Sequence, residues 1–220
     1  MMKDGEYAHV QAIFFDNDGL LVNSEEIFFQ ATQDIFAPLG IEITRDWYIH
    51  ENLQKGSSVF DLTRTKGIPN DTVGQLRVRR DEKYSELLRE SVPVVDGVLE
   101  TLEKLHGRCV MGVVTSSQKE HFDIIIGKTG LRKFFSFFIT ANDVENVKPD
   151  PEPYLKAVET VGLEKDRCLA LEDSQRGVEA AKAAGINRFA IPDALTQGHD
   201  FSKADRVLGN MREVPPLLGL

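Results

Sequence analysis

The sequence predicts an α/β fold: a doubly wound parallel sheet with a small all-helical cap domain inserted after the first strand. Three observations carry this expectation. Short apolar runs recur along the chain, each closed abruptly by turn-forming or charged residues. Helical patterns lie between the runs, the order that builds a parallel sheet covered on both faces. From Asn23 to Val92 the alternation stops, and no convincing strand interrupts the helical spacing.

The first apolar run is His9 to Phe15, HVQAIFF, which ends in Asp-Asn-Asp-Gly. The second is Cys109 to Val114 before Thr-Ser-Ser, and the third Phe137 to Thr140. Cys168 to Leu171 runs into Glu-Asp-Ser, and Arg188 to Ile191 into Pro-Asp. Helices are expected over Pro153 to Val161 and over Gln175 to Ala184, the latter closed by Gly185. Inside the insert, Asn23 with Glu26 resembles a capping box, followed by Ile27, Phe28, Ala31, Ile35 and Leu39 at helical spacing before Gly40. Val73, Leu76, Tyr84, Leu87 and Leu88 mark a second helix. The expected domains are therefore 1–22 with 93–220 for the α/β core and 23–92 for the cap. A cap at this point stands over the sheet's carboxyl edge, where open α/β sheets bind ligands.

With 220 residues the chain is long enough for one large domain carrying a smaller insertion. Its formal net charge of −9 and the lack of a basic cluster argue against nucleic acid as a partner. The opening MMKDGEYAHV holds no apolar core of signal-peptide length, and no apolar run approaches a membrane span. Cys109 and Cys168, the only cysteines, each start an apolar run and are expected as buried free thiols of a cytoplasmic protein. A monomer is expected, with a dimer as the alternative.

Four strand ends carry chemistry-bearing residues. Asp16 and Asp18, two apart in an extended segment, face the same way. One carboxylate suits a nucleophile on phosphorus and the other a general acid/base, although Asp-x-Asp-Gly is also an ordinary turn. Thr115 and Ser116 end the second core strand, where hydroxyls and N–H groups suit phosphate oxygens or, equally, a helix N-cap. Lys148, held extended by Pro149, offers a cation for phosphate and nucleophile, or a solvated turn. Glu172 and Asp173 follow a buried strand; with Asp16 and Asp18 nearby, such acids repel strongly unless a divalent ion joins them. Oxygen ligands with a phosphate co-ligand favour Mg²⁺ over zinc. The alternative for this last pair is a helix start enriched in acids. Each signal is weak alone, but together they supply nucleophile, acid/base, phosphate ligands and metal site.

FFDNDGLLVNSE at 14–25, VVTSS at 113–117, VKPDPEPY at 147–154 and LALEDSQRGVEAAKAAG at 169–185 resemble, in order and spacing, the haloacid dehalogenase superfamily. The resemblance spans essentially the whole chain and implies a Rossmann-like core. It implies Asp16 as nucleophile, Asp18 as acid/base and Thr115 and Lys148 as phosphate ligands. Asp16, the Asp18 carbonyl, Asp173 and Glu172 would hold Mg²⁺. The insert looks like the helical cap of the branch with β-phosphoglucomutase and sugar-phosphate phosphatases. Asn17 departs from the pattern, where an apolar or aromatic residue is usual, and its side chain is expected to point away from the site. The cap loop LQKGSSVFD at 53–61 resembles the mutase's substrate loop, so Gly56 and Ser57 are expected to contact substrate. Val59 stands where that enzyme has an arginine for the distal phosphate. Arg80 interrupts the apolar stripe 73, 76, 80, 84 and 87; it faces either an anion or water, and the resemblance favours substrate.

The expected activity is Mg²⁺-dependent hydrolysis of a small phosphorylated metabolite, such as a sugar phosphate, through an aspartyl phosphate. The alternative is a sugar-phosphate mutase, and a more distant one a non-catalytic phosphoacceptor module. Receiver-type modules order these residues differently and lack an inserted cap.

Overall fold

The computed structural model describes residues 4–220. Residues 1–3, which belong to the expected core domain and begin the segment scanned for a signal peptide, lie outside the described residues. The chain divides into two compact units, the segment up to Asn23 with Pro93–Leu220, and Ser24–Val92.

In the first unit, β1 (Ala12–Phe15), β2 (Val110–Val114), β3 (Phe137–Ile139), β4 (Cys168–Glu172), β5 (Asn187–Ala190) and β6 (Arg206–Val207) form one sheet. Its order is β3-β2-β1-β4-β5-β6, with every pairing parallel. The chain therefore leaves β1 with one neighbour reached early and the other late, the arrangement that opens a crevice at the strands' carboxyl ends. Register fixes what meets there. Phe15 pairs with Val113 on one side and Leu171 on the other, so Asp16 emerges beside Val114 and Glu172.

The strands are buried on both faces, as their near-continuous apolar sequences require. Ala12, Phe14, Ala170 and Ile139 pack with Tyr154 and Ala157 of helix Glu152–Val161 and with Ala180, Ala181 and Ala184 of helix Gln175–Ala184. The small alanines let that helix lie close to the sheet. By alternation Ile13, Phe15 and Leu169 face the other layer, and all three are fully buried. Gly112 in β2 is required by packing, because a Cβ there would stand 2.2 Å from the Phe137 ring.

The strand over His9 to Phe15 is shorter than its apolar run and begins at Ala12. β6, with only two residues, has no counterpart among the expected strands. Helix Gln175–Ala184 matches its expected bounds, with Gly185 ending it at φ 80°.

The second unit holds no strand among the described residues. Helix Glu25–Phe36 and helix Asn70–Glu90 enclose an apolar cluster of Phe29, Phe36, Ile41, Ile43, Tyr48, Val59, Phe60 and Leu76. The expected Asn23–Glu26 capping box is not formed. The helix starts after Ser24, the Asn23 N–H donates to Pro93 O at 2.9 Å, and Arg45 takes the Glu26 carboxylate in a two-pronged pair. No helix among the described residues is long and apolar enough to cross a membrane. Cys168 is buried and Cys109 half-buried, both as free thiols, and burial pushes each up to about 11.

Candidate active site

The site lies at the carboxyl ends of β1, β2 and β4. Gly19 closes the turn after β1 at φ 79°, where a side chain is strained. Its missing side chain has a second purpose. A Cβ on Gly19 would lie 2.3 Å from Asp173 Oδ2, so the turn and the acidic motif after β4 touch only because the residue is glycine. Gly177 does the same for the neighbouring acid, since a Cβ there would stand 1.8 Å from Glu172 Oε2.

These contacts gather Asp16, Glu172 and Asp173, each buried, with one carboxylate oxygen apiece inside a common span of 4.8 Å. Lys148 meets them from the loop after β3. Its ammonium donates to Asp16 Oδ1 at 2.9 Å and to Val114 O at 2.7 Å, and lies 2.6 Å from Glu172 Oε1. The three N–H bonds of an ammonium thus all have protein acceptors. Lys148 is only 3% exposed, so it is not the solvated turn that Lys-Pro-Asp-Pro also permits. The Lys148–Pro149 peptide is cis, and Arg176 Nη2 donates to Lys148 O at 2.7 Å, joining this loop to the helix after the acidic motif.

Asp18 has different partners. Its Oδ2 accepts from Ser117 Oγ at 2.6 Å and from Thr115 Oγ1 at 3.1 Å. The hydroxyls are not spent on a helix start, because the following helix Lys119–Thr129 has Gln118 as its N-cap. Ser116, expected at the phosphate, is exposed; it is Ser117 that carries the hydroxyl beside Asp18. The two-residue alternation that aligned Asp16 with Asp18 would equally have aligned Thr115 with Ser117. Glu172 and Asp173 are likewise no helix-start acids. Ser174 is the N-cap and accepts from the Gly177 N–H, and the first turn has no acid.

Electrostatics follow from burial and an excess of negative charge. Burial pushes the Asp16 carboxyl above its usual range; Lys148 opposes this and Asp18 adds to it. Burial likewise pushes Glu172 up to about 7 against the opposing Lys148 charge. For Lys148 burial acts downward, but Asp16 and Glu172 outweigh it and hold the ammonium above its ordinary value. Glu172 Oε2 is buried with no hydrogen-bond partner. An orphaned carboxylate oxygen within an all-oxygen acidic cluster is the donor set that a hard divalent cation such as Mg²⁺ fits.

Asn17 is 1% exposed, and its amide Nδ2 has no partner. The departure at this position thus puts an unsatisfied donor next to the Asp16 backbone. In the second unit, Gly56 takes φ 72°, and Ser57 donates its N–H to Glu51 O at 2.8 Å. Arg80 pairs with Asp81 Oδ1 at 2.7 Å, and its Cζ lies 4.5 Å over Phe28 and 5.1 Å over Phe60. Two ring faces and an acid explain how an arginine sits within an apolar stripe.

The family profile described as "Haloacid dehalogenase-like hydrolase" matches residues 13–191. The Phosphorylated carbohydrates phosphatase of Thermotoga maritima is 28% identical over 212 residues, 90% of this chain and 93% of that protein. Hexitol phosphatase B of Escherichia coli is 30% identical over 210 residues, covering 93% and 94%. The crystal structure of CbbY from Rhodobacter sphaeroides with phosphate superposes with a TM-score of 0.79 at 24% identity, over 96% of this chain and 99% of that one.

Proposed function

This chain belongs to the haloacid dehalogenase-like hydrolase family, and on that footing we propose that it is a Mg²⁺-dependent phosphatase of small sugar phosphates or similar metabolites. The observation that supports this most is the convergence of Asp16, Glu172 and Asp173 around one point, with Lys148 fixed against two of them. The relatives named for phosphorylated carbohydrates and for hexitol phosphate point to the same substrate class.

In the proposed reaction Asp16 attacks phosphorus, and the phosphorus–oxygen bond to the alcohol breaks. Asp18 gives its proton to the departing oxygen, leaving an aspartyl phosphate on Asp16. Asp18, now a base, takes a proton from water, which opens the acyl phosphate and returns the Asp16 carboxylate with inorganic phosphate. The positive charge of Lys148 beside Asp16 stabilises the phosphoryl oxygens as charge develops on them, and Thr115 binds one of them. Because Asp18 rests on the Thr115 and Ser117 hydroxyls, an arriving phosphate competes for those donors and frees the carboxyl group for proton transfer. Asp16, the Asp18 carbonyl, Glu172 and Asp173 would hold Mg²⁺. When bound, the ion offsets the clustered negative charge and draws charge from the phosphoryl oxygens. Gly56, Ser57 and Arg80 are proposed as substrate contacts on resemblance alone.

Val59 is 4% exposed and sits in the second unit's apolar cluster. The mutase that the loop resembles has an arginine there for the distal phosphate, so Val59 weighs against that alternative. The test is a panel of sugar phosphates ranked by kcat/KM in Mg²⁺, with Asp16→Asn as the background. A panel in which no member exceeds that background would sink the proposal.

A further inference from the structure

Tyr154 is fully buried on helix Glu152–Val161. Its ring does pack in the core, stacked at 6.4 Å on Phe14. Yet the same side chain touches both members of the Lys148–Glu172 pair. The Lys148 ammonium stands over the ring at 5.2 Å from its centre, and the Tyr154 hydroxyl donates to Glu172 Oε1. That oxygen is also the one facing Lys148, at 2.6 Å. Glu172 therefore has two donors on one oxygen and none on the other, which fixes the plane of its carboxylate.

We infer that Tyr154 is a positioning residue: its hydroxyl orients Glu172 toward the cation site and keeps Lys148 shared between Glu172 and Asp16. Without the hydroxyl, Lys148 is the one hydrogen-bonding partner left to a fully buried carboxylate among the described residues. The ammonium is then drawn toward Glu172 and away from Asp16. The carboxylate also loses the bond that holds its rotation, so the oxygens of Asp16, Glu172 and Asp173 no longer present one fixed set. Loss of such an outer partner of a metal-binding carboxylate costs on the order of 10–100-fold in metal affinity.

This inference rests on the phosphatase reading, and the helical unit supplies its control. There Tyr48, also fully buried, gives its hydroxyl to the half-buried Glu25, a phenol–carboxylate bond in the other unit. Tyr154→Phe and Tyr48→Phe are compared with the wild-type chain by Mg²⁺ titration calorimetry, metal-free thermal unfolding, and kcat and KM on a small phosphate monoester. Both variants keep the ring and are expected to fold with similar small losses in melting temperature. Tyr154→Phe is expected to bind Mg²⁺ at least about 10-fold more weakly, with kcat lowered at saturating Mg²⁺ and KM little changed. Tyr48→Phe is expected to keep the wild-type Mg²⁺ affinity. Wild-type affinity and kcat in Tyr154→Phe overturn the inference, as does an equal loss of Mg²⁺ affinity in both variants. A wild-type chain that neither binds Mg²⁺ nor hydrolyses the ester would instead defeat the phosphatase reading itself, and this inference with it.

Discussion

Lys148 Nζ lies 2.6 Å from Glu172 Oε1, in a place where neither side chain is more than 4% exposed. A buried pair of this kind is worth little compared with an apolar replacement, but breaking one half of it strands the other. Lys148→Met should therefore destabilise the metal-free chain by about 3–5 kcal/mol in urea unfolding at neutral pH. It should also lower kcat by on the order of 100-fold or more, as expected for a lost charge stabiliser. A variant with unchanged stability would mean that Glu172 does not depend on this lysine.

The raised Glu172 value gives a pH dependence with a definite sign. Its folded value of about 7 lies above the ordinary 4.5, so between these limits the folded chain keeps a proton that the unfolded chain releases. Stability from this group is full below about 4.5 and is lost as pH rises through about 7. Mg²⁺ binding needs the carboxylates ionised, so its stabilising effect should grow over the same window. Melting temperatures with and without Mg²⁺ should differ more at pH 8 than at pH 5.5. Equal Mg²⁺ shifts at both values would contradict the assignment of Glu172 to the cation site.

Two glycines should be intolerant for a reason that a third is not. Gly19→Ala and Gly177→Ala would push a methyl group into the carboxylates of Asp173 and Glu172, at 2.3 and 1.8 Å. Turnover should fall at least about 100-fold in each, as expected when catalytic groups are displaced by about an ångström. Gly74, inside helix Asn70–Glu90, has nothing within 4 Å of a Cβ. Gly74→Ala should leave activity intact and raise stability by about 0.5–1 kcal/mol. Thermal unfolding and kcat on the three variants check the contrast.

Asn17, next to Asp16, should cost the fold stability. Its Nδ2 is buried with no partner, and an unsatisfied buried donor costs about 1–3 kcal/mol. Asn17→Leu, of similar size, should raise the melting temperature by about 2–4 °C for each kcal/mol recovered. A lowered melting temperature would show that the amide is satisfied in solution.

Much of this was legible in the sequence because parallel strands bury both faces and end abruptly, which writes their carboxyl ends as apolar runs broken by charge. Asp16, Glu172 and Asp173 are visible for that reason, and register brings them together; Lys148 is read instead from its Lys-Pro pair, in the loop after β3. What escaped depends on side-chain choice rather than pattern. β6 is a two-residue edge strand, Arg206–Val207, with no apolar run to mark it. No spacing in the sequence marks the Tyr154 hydroxyl as a partner of Glu172. Glu26 looks like a capping partner, but Arg45, distant in sequence, claims it. Arg80 breaks an apolar stripe, and only the fold reveals the Phe28 and Phe60 rings beneath it.

The central claim is that Asp16 carries the phosphoryl group covalently. Quenching the enzyme during turnover and reducing it with borohydride converts an aspartyl phosphate to homoserine, which peptide mass spectrometry locates by residue. The account predicts homoserine at position 16 in the wild-type chain, none in Asp16→Asn, and no turnover by that variant. Steady hydrolysis by Asp16→Asn, or a label found on another carboxylate, would contradict it.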